Sequence, residues 1–149
     1  MTATAALLVV VAVIVLVIAQ PSIARQFTLV INAANGSRTG TNTITAGVIQ
    51  INDANALGSG AINMGITGVN SGASLWLTNG ITLTNSINMA VTGATGAAGI
   101  NNTGAVYSAS GSNTISGSIT NTASVGIFFG AASGATLSLG TLSLSNSPT

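Results

Sequence analysis

Three charged side chains are the first place to look for chemistry in this sequence of 149 residues. They are Arg25, Arg38 and Asp53, and the chain contains no lysine, glutamate, histidine or cysteine. A single carboxylate cannot form the acid/base pair of glycoside hydrolysis, and a serine nucleophile would lack the histidine that activates it. Two isolated arginines also fall short of the clustered positive charge that nucleic-acid binding requires. The sequence therefore predicts a protein that is not an enzyme and does not bind nucleic acid.

The neighbourhood of Asp53 is the one candidate for a metal site in the sequence. Asn52, Asp53 and Asn55 offer oxygen ligands of the kind that calcium takes, but one carboxylate gives little affinity. Asn and Asp side chains also bond to their own backbone in tight turns. We therefore predict that these residues cap a turn, and we assign no catalytic residue, metal ligand or cofactor.

The other candidates for binding are uncharged. Trp76 lies between Leu75 and Leu77, and strand alternation places it on the opposite face from both leucines. An outward tryptophan can stack on a sugar, or it can cover its neighbours on the sheet surface. Alternating threonines in residues 41–45 and 82–84 are similar to the flat rows of ice-binding solenoids, but they do not recur at a fixed period.

Short strands must position these residues, because apolar residues recur in small groups that are separated by glycine or asparagine. In residues 47–60, GVIQINDANALGSG, the segment from Val48 to Ile51 alternates as a strand does, and an Asx turn follows it. Leu57 then provides a single apolar plug before two glycines. Residues 40–47 form another strand-sized piece that ends in glycine. Strand, turn, strand, turn is therefore the predicted unit, with no room for a helix.

The order of residues in this unit carries a resemblance to a known family. The run NTITAGVIQI at 42–51 and the run ALGSG at 56–60 resemble the passenger-associated repeat of bacterial autotransporters. The run GSNTISGSIT at 111–120 and the TLSL runs at 136–139 and 141–144 are similar to the segment that follows that repeat. The resemblance implies a right-handed parallel β-helix that is exported to the cell surface.

The predicted fold is therefore all-β, a right-handed parallel β-helix or solenoid over residues 25–149, with its repeat core at 40–60. Inward aliphatic residues, among them Leu75, Leu77, Ile81 and Leu83, would form columns, and outward Thr, Ser and Asn would form polar columns with amide ladders. Glycines would allow the corners, which need positive φ. At roughly 20 residues per coil we expect five or six coils. The alternative, an all-β sandwich, would need longer strands at a spacing of about 8–12 residues.

Residues 1–24 differ from the rest and are predicted to form a helical signal peptide or membrane anchor. Residues 5–19 contain no polar side chain, a length that is short for a membrane span but typical of the apolar region of a signal peptide. Pro21 follows, and residues 22–24 have the small residues of a cleavage site, although no Lys or Arg precedes the apolar run. We expect membrane contact through this segment alone, and a location outside the cell or on a bacterial surface.

Three functional hypotheses follow. The first is a non-catalytic structural or interaction module, a segment of an adhesin-type autotransporter passenger, which binds a host or matrix surface ligand or itself through its open ends. The second is a glycan-binding module that uses Trp76. The third is a non-functional remnant of a longer passenger gene. Because 149 residues leave no room for the outer-membrane barrel of an autotransporter, we expect a fragment, a truncated gene product or a small passenger that is exported in another way. A barrel-encoding continuation of the DNA would separate the third from the first.

Overall fold

The computed structural model describes residues 28–65, 73–89, 103–121 and 127–144. These residues form thirteen strands and no helix. In chain order the strands are β1 (Thr28–Ile31), β2 (Asn42–Ile44), β3 (Gly47–Ile51), β4 (Ile62–Met64), β5 (Ala73–Leu77), β6 (Thr82–Leu83), β7 (Ile87–Met89), β8 (Val106–Ser108), β9 (Ser112–Ile115), β10 (Ile119–Asn121), β11 (Phe129–Ala131), β12 (Thr136–Leu139) and β13 (Leu142–Leu144). The predicted leader and Arg25 lie outside the described residues.

The strands belong to three sheets. Sheet A has the order β1-β3-β5-β8-β11, sheet B has the order β13-β10-β7-β4-β2, and sheet C has the order β12-β9-β6. Every pair of neighbouring strands is parallel. The chain passes from sheet A to sheet B and returns to sheet A four times, so it forms a parallel β-solenoid of about four turns. The predicted all-β solenoid fold is therefore confirmed, and the alternative of a β-sandwich is wrong.

We number the coils by their strands: coil 1 contains β1 and β2, coil 2 contains β3 and β4, and coils 3, 4 and 5 contain β5–β7, β8–β10 and β11–β13. In coils 1 and 2 a loop and a turn, at 32–41 and 52–61, connect sheet A to sheet B without a strand in sheet C. From coil 3 onward each coil has all three sides.

After the first step, the coils are longer than the predicted 20 residues. Thr28 pairs with Val48, a step from 28 to 48 that equals 20 residues, but Leu75 pairs with Val106, a step from 75 to 106 that equals 31 residues. Most of the extra length lies between the end of β7 at Met89 and the start of β8. The described strands therefore make about four turns, which the coil numbering divides into five coils, the lower end of the predicted five or six.

Aliphatic columns fill the interior, because alternate residues of each strand point inward and equal positions stack from coil to coil. Leu75, Leu77, Ile81 and Leu83 all face the core, as predicted, and Leu57 is a buried plug in coil 2. One column of sheet A contains Leu29, Ile49, Leu75, Val106 and Phe129. One column of sheet B contains Ile62, Ile87, Ile119 and Leu142.

A column of small corners lies where the chain enters sheet B. The residues two positions before the strands of sheet B are Gly40, Gly60, Asn85, Gly117 and Gly140. A Cβ atom on Gly60 would lie 2.1 Å from the Gly40 carbonyl oxygen, and one on Gly117 would lie 2.1 Å from that of Asn85. The corners at Gly60 and Gly117 have no room for a side chain, which explains why the repeat core ends in glycine at Gly60.

Candidate interaction surfaces

The turn at Asp53 is built as a cap. The Asp53 carboxylate accepts the backbone N–H of Asn55 at 2.7 Å, and the Asn55 carbonyl oxygen accepts the backbone N–H of Asn35 from coil 1 at 2.9 Å. Asn52 has a buried side-chain oxygen without a hydrogen-bond partner. No cluster of three acidic, histidine or cysteine side chains occurs in the described residues. The arrangement is that of the predicted Asx turn.

Arg38 joins coil 1 to coil 2. Its guanidinium donates to the Asn42 side-chain oxygen and to the carbonyl oxygens of Thr41, at 3.1 Å, and Leu57, at 3.4 Å. The Arg38 carbonyl oxygen also accepts the backbone N–H of Ser59 at 2.9 Å. This arginine is half-buried and directs its donors at the protein's own backbone, so it stabilises the loop rather than offering a basic site.

An aromatic pair lies on the outer face of sheet A. Trp76 points outward, as predicted, and Tyr107 occupies the equivalent position in the next coil. Their ring centroids are 5.3 Å apart, and the ring planes are inclined by 56°. Val48 packs against Trp76, and the indole N–H is buried without a hydrogen-bond partner. Each ring is half-buried, so the pair both covers the sheet and leaves aromatic surface in contact with solvent.

The surroundings of the pair are neutral. Gln50 precedes Trp76 in the same column, and Gly130 follows Tyr107. A Cβ atom on Gly130 would lie 3.1 Å from Cδ2 of Tyr107, so the tyrosine ring lies over the glycine. The face therefore combines two aromatic rings with an amide, and no described residue beside the pair carries a charge.

Polar side chains form the outer face of sheet B. Its central column contains Thr43, Asn63, Asn88, Thr120 and Ser143. The Asn88 side chain donates to the Asn63 side-chain oxygen at 2.8 Å, which is the predicted amide ladder, and the Ser118 hydroxyl lies 3.2 Å from that of Ser86. The face is uncharged, and its amides and hydroxyls bond partly to one another.

The threonine rows do not combine into one array. Thr43 lies in sheet B, whereas Thr82 lies in sheet C and pairs with Thr114. Because the two rows occupy different sides of the solenoid, they cannot present a single flat threonine surface. The similarity to ice-binding solenoids therefore has no support in this arrangement.

The sequence did not reveal Tyr107 as the partner of Trp76, since the two residues are 31 positions apart, from 76 to 107, in the longest step of sheet A. It also did not reveal the buried amides of Asn85 and Asn113. The signal that could have found Asn85 is its place in the glycine column, two residues before the Ile87 strand. Aligning the coils on their Ile-containing sheet B strands would have exposed that position.

Comparisons with known proteins add no relative. No protein-family model, no curated protein and no solved structure matches this chain. The resemblance to autotransporter repeats therefore depends on the sequence runs quoted above. Among the residues that the structure describes, no helix has the length and apolar character needed to cross a bilayer.

Proposed function

We propose that this chain is a non-catalytic structural and interaction module, a segment of an adhesin-type, autotransporter-like passenger that is exported through its N-terminal segment. The expected partner is a host or matrix surface ligand outside the bacterial cell. The observation that carries the proposal is the parallel solenoid itself, a stack of coils whose core is aliphatic and whose coat is neutral. Such a stack serves as a stiff rod with extended sheet faces, which are the surfaces that solenoid proteins use for binding.

The coat supports a non-catalytic role. The outer face of sheet B carries hydroxyl and amide groups, and Arg38 and Asp53 are the charged residues of the described part. Both of these residues are bonded to nearby backbone, so neither forms an acid/base site with a second charged group. A rod of this kind offers broad, weakly polar contact area rather than a concave pocket for chemistry.

The right-handed sense of the solenoid is part of the proposal. A strand that connects by a crossover to a parallel strand in the same sheet does so with a right-handed turn in nearly all proteins, because strand twist favours that path. Each return from sheet A to sheet A is a connection of this type. The family resemblance implies the same hand.

Export is the testable part of the proposal. We expect the chain, with an epitope tag after Thr149, to reach the surface or the medium when it is produced in a Gram-negative bacterium. Val13→Arg places a charge at the centre of the apolar run, and it should block export because an arginine there costs about 3 kcal/mol in membrane insertion. Protease digestion of intact cells, followed by detection of the tag, measures the accessible fraction.

Val13→Leu is the matched control and should leave the accessible fraction unchanged. Mass spectrometry of the exported chain distinguishes a cleaved signal peptide from an uncleaved membrane anchor, because cleavage would leave Arg25 as the first residue. If the parent chain stays inside the cell, or if Val13→Arg is exported as well as the parent, the proposal of an exported module is wrong.

A second candidate function is glycan binding, and the Trp76–Tyr107 pair is the observation that favours it. Half-buried aromatic rings on a rigid sheet lose little conformational entropy when a ligand stacks on them. The neighbouring Gln50 supplies a donor and an acceptor for hydroxyl groups. A neutral polysaccharide would meet no charged group at this face.

We expect Trp76→Ala to reduce retention of the purified chain on immobilised neutral polysaccharides, such as cellulose or chitin, by about fivefold, since one stacked ring contributes about 1 kcal/mol. Far-UV circular dichroism should keep its β signal. Phe128→Ala is the matched control, because Phe128 is also an exposed aromatic residue but lies outside the pair. Equal retention of Trp76→Ala and the parent, or no retention of the parent, would remove this candidate.

A further inference from the structure

Two asparagines of this chain are followed directly by glycine, at Asn35-Gly36 and at Asn79-Gly80. An asparagine in this position can lose its side-chain amide without an enzyme, because glycine has no Cβ atom to shield its backbone nitrogen. That nitrogen attacks the side-chain carbonyl carbon of the asparagine within the same chain, so no second molecule has to be brought into place. The two sites share one dipeptide, and the structure around each site therefore decides which of them reacts.

Coil stacking holds the Asn79-Gly80 site in place. Asn79 and Gly80 have φ angles of 66° and 70°, so both residues adopt the left-handed conformation of a tight turn. The corner of coil 4 lies directly on this turn, since a Cβ atom on Gly111 would come within 2.8 Å of the Gly80 nitrogen. Ring closure needs rotation about the Asn79 backbone, which requires the corners of coils 3 and 4 to separate.

The Asn35-Gly36 site is held less tightly. The Asn35 carbonyl oxygen accepts the backbone N–H of Arg38 at 3.0 Å, so residues 35–38 form a β-turn. A Cβ atom on Gly36 would meet nothing within 4 Å, and Gly36 and Ser37 are both exposed. The Asn35 side chain makes no hydrogen bond to another described residue. Its carbonyl carbon and the Gly36 nitrogen are therefore able to approach each other.

The described structure gives Gly36 no conformational reason to be glycine. Gly58 and Gly80 have positive φ, and a Cβ atom on Gly60 would collide with the backbone of coil 1. Gly36 is not among the described residues with positive φ, and the space beside it is open. An alanine would fit there. What glycine adds at this position is flexibility and an unshielded nitrogen next to Asn35.

We propose that Asn35 is a site of spontaneous deamidation and that the solenoid protects Asn79 from the same reaction. The Gly36 nitrogen loses its proton and forms a bond to Cγ of Asn35. The Cγ–Nδ2 bond breaks, and Nδ2 takes up a proton and leaves as ammonia. Water then opens the five-membered succinimide at either carbonyl, which gives aspartate or isoaspartate. One water is consumed, one ammonia is released, and nothing is oxidised or reduced. The inference goes beyond the proposed function, because it needs only water and does not depend on where the chain is located.

Deamidation would change both the charge and the attachment of coil 1. The new carboxylate lowers the formal net charge from +1 to zero, and it lies in the same turn as Arg38. The backbone N–H of Asn35 donates to the Asn55 carbonyl oxygen at 2.9 Å, so this residue also joins coil 1 to coil 2. Isoaspartate routes the main chain through Cβ, which lengthens the turn by one atom and displaces the acceptor of the Arg38 N–H. The modified chain therefore holds the loop at 32–41 less firmly.

Peptide mapping of the full-length chain in a mild detergent tests the selectivity. Trypsin cleaves after Arg25 and Arg38, and the peptide between them contains Asn35. Asn32 in the same peptide precedes an alanine and serves as an internal control. During incubation at neutral pH, we expect the acid products to form at Asn35 at least about tenfold faster than at Asn79, a difference of about 1.4 kcal/mol in the barrier. Mass spectrometry measures both rates, the second from a chymotryptic peptide. No acid product at Asn35, or equal rates at the two sites, would overturn the proposal.

Two further measurements separate the effect of the fold from that of the sequence. In the chain unfolded by urea, Asn35 and Asn79 should react at similar rates, because the stacking that protects Asn79 is lost. Gly36→Ala should keep the far-UV circular dichroism signal of the parent and slow the reaction at Asn35 by about tenfold or more, because the added methyl group shields the nitrogen. If the selectivity persists in urea, or if Gly36→Ala reacts as fast as the parent, the proposal is contradicted.

Discussion

Replacing Gly60 by alanine is expected to destabilise the solenoid by about 3 kcal/mol or more, the upper range for forcing an extra methyl group into a packed site. The added Cβ would lie 2.1 Å from the Gly40 carbonyl oxygen and 2.8 Å from that of Thr39. Both atoms belong to the backbone of coil 1, so no side-chain rotation can relieve the contact. The variant must push coil 1 away from coil 2, which would weaken the hydrogen bonds between them. Urea unfolding followed by far-UV circular dichroism measures the change in the free energy of unfolding.

Gly40→Ala is the matched control for this prediction. Gly40 occupies the equivalent corner of coil 1, but a Cβ atom there would meet nothing within 4 Å. We therefore expect the free energy of unfolding to change by less than about 0.5 kcal/mol, as for most surface substitutions. Equal stability of the Gly60→Ala and Gly40→Ala variants would mean that coils 1 and 2 do not stack as described.

The sequence predicted the interior well because a strand imposes a strict alternation. Leu75 and Leu77 fall on one face of β5 and Trp76 on the other, whichever coil lies next to them. The same local rule placed Ile81 and Leu83 inside. Glycines were predicted at the corners for their positive φ, which Gly47 and Gly58 do adopt. Gly60 has a different reason, since a Cβ atom there would meet the backbone of coil 1.

The register between coils could not be predicted, because no local pattern fixes the length of the connections between sheet B and sheet A. Two residues, at 45 and 46, separate β2 from β3, whereas the chain takes residues 90–105 to pass from β7 to β8. The assumption of a constant coil length therefore failed after coil 2. Without the correct coil length, the sequence could not place Tyr107 beside Trp76, because that contact depends on the pairing of β5 with β8.

Buried amides were the other feature that was not predicted. Asparagine is common in this chain on outer faces and in turns, and the residue type alone does not indicate which asparagine side chains are buried. Asn85 takes the corner position that glycine holds in other coils, and its side chain donates to the carbonyl oxygens of Gly58 and Gly60 at 2.9 and 2.7 Å. Its role is visible only when coil 2 and coil 3 are stacked.

Asn113 is a buried amide whose side chain bonds to four groups. Its side-chain oxygen accepts the backbone N–H of Ile81 at 2.9 Å. Its Nδ2 group contacts the Ser108 hydroxyl at 2.7 Å and the carbonyl oxygens of Ser110 and Leu77 at 2.8 and 3.3 Å. The side chain is fully buried, so it joins coil 3 to coil 4 where sheet A meets sheet C.

Asn113→Leu keeps a similar volume but removes every one of these bonds. We expect it to lower the free energy of unfolding by about 3 kcal/mol. Buried groups such as the Ile81 N–H would lose their partner, and each such group costs about 1–3 kcal/mol. Urea unfolding measures the loss. Asn88→Leu is the matched control: Asn88 bonds to Asn63 on the outer face, where water can replace the lost bond, so the expected loss is below about 1 kcal/mol. If both variants lose the same free energy, the corner amide does not hold coils 3 and 4 together, and the aliphatic columns alone must set how these coils stack.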